Sequence, residues 1–396
     1  MSNFIKKIEL NSESMPDKSY YDITITNLGS TTSTPPLCNF QETRNSPFVY
    51  NPSLYWCSVL RFTIDTQSLP QFVCEIQRGQ PNVNLSVYEI ILSYSYNGTV
   101  YNGISYLNWI PQDKSAPIPI PPSSTLTGLQ DLSSAYYFSY SYQYFINLLN
   151  NSFIEAYINL NNLVTGAGGV LPSAYQPTIT FDTNSNVAII TADIAGYLSQ
   201  SVNPIKIYFN PSLYQLFSSF NAFFHGYNQP YNKSFEIVVD SFNGVNNAPF
   251  PSDSTLYTGC EVYQEYSTVV NQCPITAIVF TTSMLPIISE QISKPLIYID
   301  GAILQNNGNN SNIANIMTDF VANDAQYKPS ITYAPSAEYR RIQMVGNSPV
   351  NSLDIQVWWR SRFGSLQPFF LASGSTCTIK ILFEKKKYIM DKTSNY

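Results

Sequence analysis

The chain of 396 residues contains a single histidine, and that scarcity excludes more chemistry than any residue present suggests. A hydrolytic site built on imidazole would have to use His225 in NAFFHGYNQP, yet no nucleophile motif stands beside it. A turn or core imidazole is the plainer reading. Zinc held by several histidines is excluded. Cysteine is scarce as well: Cys38, Cys57, Cys74, Cys260, Cys273 and Cys377 form no C-x-x-C pair and no finger-like spacing. Buried, reduced thiols in a protein made in the cytosol are expected, ahead of disulfides.

Charge is thin too. Only 12% of residues are charged, against roughly 25% in an ordinary soluble domain. The net formal charge of −6 excludes a chain that gathers nucleic acid by bulk positive charge. No apolar run approaches the roughly 20 residues that span a bilayer, so no membrane span is expected. The opening MSNFIKKIEL lacks a signal-peptide core, which leaves the glycosylation patterns at Asn84, Asn97 and Asn232 with little meaning. No calcium-loop pattern occurs. GAGG at Gly166–Gly169 runs into Val170, Leu171 and Pro172 instead of Lys-Ser/Thr, so it reads as a flexible loop and not a phosphate cradle.

What the chain has is aromatic side chains, 14% of residues, with 30 Tyr and 23 Phe. A surface poor in charge and rich in Tyr, Asn and Ser suits a protein largely covered by partners. An AT-rich genome produces the same bias whatever the function, and both explanations apply.

Alternating patterns predict strands at Tyr20–Asn27, Trp56–Asp65, Phe72–Gln77 and Leu85–Tyr96, with Asn97-Gly98 as a two-residue hairpin turn into TVYNGISY. After the stiff APIPIPPSS segment, one long helix is expected from about Leu132 to Leu163. Tyr142, Ile146, Leu149, Phe153, Tyr157 and Leu160 form its apolar stripe. A hairpin over Thr178–Asp193, a strand over Pro204–Asn210 and a short helix at LYQLFSSF follow. Strands over Ser234–Phe242, Ile275–Met284 and Pro295–Leu304 come next. The C-terminal part is the most regular, with β-type runs over Ile331–Met344, Ser352–Ser361 and Ser375–Lys387, divided by turn clusters at Gly346–Pro349 and Phe363–Pro368. A dozen or more short strands with helices bunched in the middle predict a mainly β chain: an antiparallel jelly-roll sandwich with an inserted α+β subdomain. The expected division is an arm over residues 1–19, a jelly roll from 20–99 and 234–387, an insertion over 100–233 and a tail over 388–396.

Carboxylate chemistry has weak candidates in Glu261 and Glu265, four apart, and in Asp300 before Gly301; solvated-face and turn readings suit them better. No catalytic constellation emerges, and neither enzyme activity nor a cofactor is expected. The candidate contact residues are basic: Arg340, Arg341, Lys385, Lys386 and Lys387, with Lys392 nearby and Lys6-Lys7 in the arm. They would meet an acidic neighbour or packaged nucleic acid, or simply protect an edge from stray pairing. On a strand, Trp358 and Trp359 must point to opposite faces, one to core and one to a contact.

The stretch DIQVWWRSRFGSLQPFFLASGSTCTIKILFEKK (Asp354–Lys386) resembles the ends of penton (vertex) capsid proteins of virophages and polinton-like viruses, with the similarity clearest over about residues 296–387. The resemblance rests on a strand with Asp354 and paired aromatics, a turn at Gly364, Pro368, a turn at Gly374 and a last strand running into lysines. It implies a structural capsid subunit that forms homopentamers at icosahedral five-fold vertices. The implied partners are copies of itself, the major capsid protein and, through the basic tail, the genome. It also implies a virion location after synthesis in host cytoplasm or a viral factory, and an insertion on the outer side. A host-attachment protein of fibre type, binding a surface receptor or glycan through that insertion, is the alternative.

Overall fold

The computed structural model describes residues 17–29, 36–112, 121, 130, 132, 135–226, 232–240, 259–290, 296–299, 302–305, 315–322, 330–334, 340–362 and 364–386. The chain divides into two compact units. The first comprises residues 35–68 and 275–396 with the N-terminal segment; the second is essentially 69–274.

The first unit is a sandwich of two five-stranded sheets in which neighbouring strands run antiparallel. One sheet runs Lys18–Thr26, Thr376–Lys385, Tyr55–Asp65, Ser330–Tyr333, with Ile342–Gln343 also on Tyr55–Asp65. The other runs Asn315–Val321, Ile275–Thr282, Ser352–Ser361, Asn39–Thr43, with Leu366–Pro368 beside Ser352–Ser361. Period-two alternation puts Cys377, Ile379, Ile381 and Phe383 inside, and a bulge against Tyr55–Asp65 shifts the register between Lys380 and Ile381. Phe62 from one sheet meets Phe280 from the other at 4.8 Å, ring edge to face, and Phe320 completes the cluster. The mainly β jelly-roll expectation holds in this unit. Part of the expected turn at Phe363–Pro368 is instead the strand Leu366–Pro368, which finds ladder partners on Ser352–Ser361. The expected single strand over Pro295–Leu304 is two, Leu296–Ile299 and Ala302–Gln305, paired to each other.

The second unit has a five-stranded sheet in the order Ala222–Phe224, Phe235–Ile237, Lys206–Phe209, Leu85–Tyr96, Thr99–Asn108. A three-stranded sheet, Gly259–Tyr263, Val187–Asp193, Thr178–Asp182, accompanies it. Asn97 and Gly98 both take positive φ, 49° and 77°, as a type I′ turn requires. The helix Tyr142–Gly166 packs its stripe against Thr99–Asn108, where Gly103 permits contact: a Cβ there would lie 2.0 Å from the Ala156 carbonyl oxygen. Gly168, at φ 80°, closes the helix in the left-handed conformation. The helix starts ten residues later than expected because Ala135–Tyr137 forms a 3-10 turn and Phe138–Ser139 pairs with Phe72–Val73.

This unit takes in residues 69–99 and 234–274, which the sequence pattern assigned to the jelly roll, so its boundaries are wider than 100–233. Leu85–Tyr96 has both of its ladder partners, Thr99–Asn108 and Lys206–Phe209, in the second unit.

Candidate functional site

Among the basic residues singled out from the sequence, the described ones, Arg340, Arg341, Lys385 and Lys386, belong to the first unit and are largely engaged there. The Arg340 guanidinium donates to Thr318 Oγ1 and the Asp319 carbonyl, with the Asp319 carboxylate 3.6 Å away. Arg341 lies 2.9 Å from Glu384, whose carboxylate also meets Lys18 at 3.0 Å. Hydrogen bonding from Lys18, outweighing some burial and aided by Arg341, holds the Glu384 carboxyl below its usual range. Lys386 Nζ donates to the carbonyls of Ser53 at 2.7 Å and Met344 at 3.2 Å and lies over the Trp56 ring. Lys385 is exposed, and Lys387 lies outside the described residues. Trp359 is buried, while Trp358 is half-buried with its indole N–H donating to Thr281 Oγ1.

The nearest approach to an acid–base constellation is in the second unit and centres on Glu236. Its buried carboxylate accepts from Tyr208 OH at 3.0 Å, meets Lys206 Nζ at 3.0 Å and pairs with His225 Nε2 at 2.8 Å. Burial pushes this carboxyl up, but the hydrogen bonds from Lys206, His225 and Tyr208 outweigh it and hold it low. A carboxylate so saturated with donors is a structural anion and a poor base. In the same unit Asn232 Nδ2 donates to Glu89, whose burial raises its carboxyl. Lys233 Nζ donates to Ser93 Oγ at 2.8 Å, the spacing of a Ser–Lys pair. Ser93 is only 4% exposed, so its hydroxyl is shielded from a substrate carbonyl. Glu261 accepts from Tyr263 OH, and Asp300 lies outside the described residues. Among the described residues no group of His, Cys, Asp or Glu is arranged to hold a metal ion.

Several exposed surfaces are suited to contact. The strand Lys18–Thr26 ends its sheet; among the described residues its ladder partner is Thr376–Lys385, on one side. None of its residues is fully buried, and Lys18, Tyr20, Asp22, Thr24 and Thr26 form an exposed row. In the second unit the edge strand Ala222–Phe224 exposes Phe223 (59%) and Phe224 (54%). Ile154 and Ile158, one turn apart on the outer face of Tyr142–Gly166, are likewise exposed. Sequence reasoning passed over these positions. Ile154 and Ile158 fall off the apolar stripe, a signal visible on a helical wheel. The edge position of Phe223 has no such signal.

The profile describing the Sputnik minor capsid protein V18/19 family matches residues 19–385. Structural protein V19 of Sputnik virophage is 28% identical over 221 residues, 54% of this chain and 97% of that protein. Uncharacterized protein V18 of the same virophage is 35% identical over 143 residues, 36% of this chain and 83% of V18. A chain in the cryo-EM structure of Sputnik virophage superposes with a TM-score of 0.77 at 28% identity, covering 94% of this chain and all of that one. The mavirus penton protein shares the fold with a TM-score of 0.59 at 15% identity, over 93% of this chain and 99% of that one.

Proposed function

Because the chain belongs to the Sputnik minor capsid protein V18/19 family, a set of structural capsid proteins carried in the virion, we propose that its place in the shell is the vertex. Five copies would close a ring about an icosahedral five-fold axis, each touching its two neighbours and the major capsid protein. The observation that carries this reading is the fold shared with the mavirus penton protein over nearly the whole chain. A ring needs a heterologous contact in which two different surfaces meet. The open edge of Lys18–Thr26 supplies one such surface. On this reading the chain is without catalytic activity, in keeping with a Glu236 network whose groups are spent on one another. Lys385, with Lys387 and Lys392 beyond it in sequence, is the candidate for touching genome phosphate or an acidic neighbour.

Native mass spectrometry of the purified chain tests the ring. A species of five times the chain mass is expected. A strict monomer at tens of micromolar, together with absence of the chain from purified particles, overturns it.

A further inference from the structure

Two of the six cysteines, Cys38 and Cys377, lie 339 positions apart in sequence, and their sulfurs are 3.4 Å apart inside the first unit. Both are shut off from solvent, at 1% and 0% exposure. Cys74 and Cys260 instead lie 3.9 Å from the backbone carbonyls of Glu75 and Asp240. The Cys38–Cys377 contact joins the two sheets. Cys38 precedes the strand Asn39–Thr43 and is held in register by its N–H to the Phe369 carbonyl and by the Val357 N–H to its own carbonyl. Cys377 stands on Thr376–Lys385 between Ile25 and Ile64.

Facing sheets ordinarily lie about 10 Å apart, too far for a disulfide, whose Cα atoms must be roughly 4.4–6.8 Å apart. The side chains close that gap here: the two sulfurs meet at 3.4 Å, and Lys18–Thr26, the ladder neighbour of the strand that carries Cys377, has Cα atoms within 8 Å of Asn39–Thr43, which Cys38 precedes. The sulfurs need to close by only about 1.4 Å to reach bonding distance.

We infer that Cys38 and Cys377 are a redox pair, thiols when the chain is made in a reducing compartment and a disulfide clamp between the sheets once it meets an oxidising medium. The step is thiol–disulfide exchange with a small-molecule disulfide such as oxidised glutathione. One cysteine gives up its proton to water and its thiolate attacks the external disulfide, forming a mixed disulfide and expelling one thiolate, which takes up a proton. The second cysteine ionises in the same way and attacks the protein-bound sulfur. The Cys38–Cys377 bond forms, a second small thiol leaves, and two electrons have passed from protein to oxidant. Burial suppresses ionisation of the Cys377 thiol, so exchange is slow in the closed sandwich and faster when the sheets breathe. The same burial shields the finished bond from reductants.

The full chain, purified under reducing conditions, is incubated with excess oxidised glutathione, both in buffer and in sub-denaturing urea. It is then unfolded with an alkylating agent and no reductant. Mass analysis should find four alkylated cysteines, the six of the chain less the two joined, and a linked peptide pair containing Cys38 and Cys377. The oxidised chain should melt about 5 °C above the reduced one. Cys38→Ser and Cys377→Ser should each abolish both the linked peptide and the shift. Six alkylated cysteines in both incubations, or a link that survives either substitution, would overturn the pair and leave the sulfurs as core packing.

Discussion

Thr282 Oγ1 donates to Asp354 Oδ1 at 2.8 Å, and the same carboxylate receives the backbone N–H groups of Ser283 and Met284 and the Ser283 hydroxyl. Asp354 is 3% exposed on a strand otherwise packed with Leu353, Ile355, Val357 and Trp359, so its charge is stabilised by these donors alone among the described groups. It ties the end of Ile275–Thr282 to its ladder neighbour. Asp354→Ala strands several buried donors and should cost about 3 kcal/mol in urea unfolding. Thr282→Val removes one donor to Asp354 and also strands the Leu285 N–H that the hydroxyl accepts, and should cost about 1–2 kcal/mol.

In the second unit, Gly103→Ala would push a methyl group into the backbone of Ala156 and Leu160. Neither atom belongs to a side chain that can swing away, so the helix Tyr142–Gly166 must lift from Thr99–Asn108. A loss of about 2–3 kcal/mol is expected by chemical denaturation.

Glu236 and Glu89 should make opposite contributions to pH dependence. The folded-state carboxyl of Glu236 lies below its ordinary 4.5, so its contribution is present above that value and lost as pH falls through the folded value. Glu89 is shifted upward by burial, so its contribution is complete below 4.5 and lost as pH rises through the folded value. Urea midpoints measured from about pH 3 to about pH 7 check both. Glu236→Gln should flatten the acid limb, and Glu89→Gln should flatten the decline on the other side and leave the chain at least as stable at neutral pH.

Neighbouring lysines should behave differently. Lys386 is bound to two carbonyls and stacked on Trp56, so Lys386→Ala should lower stability by about 1 kcal/mol. Lys385 is exposed, and Lys385→Ala should leave the urea midpoint unchanged. If this end of the unit touches phosphate, the Lys385 change should weaken retention on a polyanion column and make it less salt-dependent.

Phe223→Ser removes an exposed ring and should leave the melting temperature of the isolated chain within a degree or two, whereas Phe224 also packs on Phe235 at 5.1 Å and its replacement by Ser should lower it further. Incorporation into particles, measured against wild type in a mixed expression, should fall if the edge strand Ala222–Phe224 is covered in the shell.

Local periodicity made much of this fold readable. The alternation in SLDIQVWWRS and LSVYEIILSYSY yields strands over Ser352–Ser361 and Leu85–Tyr96, and the stripe from Tyr142 to Leu160 yields the helix. These patterns record which face of one element avoids water, and that is decided within ten or so residues. The basic cluster was visible as composition. Its engagement was not, because Glu384, Ser53 and Met344 reach Arg341 and Lys386 only through pairing across the sheet.

The sequence by itself determined that this chain is built of alternating strands and has one long amphipathic helix. Tertiary structure alone decided that Thr376–Lys385 lies between Lys18–Thr26 and Tyr55–Asp65, that Leu85–Tyr96 joins the second unit, and that Cys38 meets Cys377. The reason is that a strand's hydrogen-bonding edges are the same whatever its side chains. Its partner is chosen by which distant apolar faces can be buried together, and no local pattern records that choice.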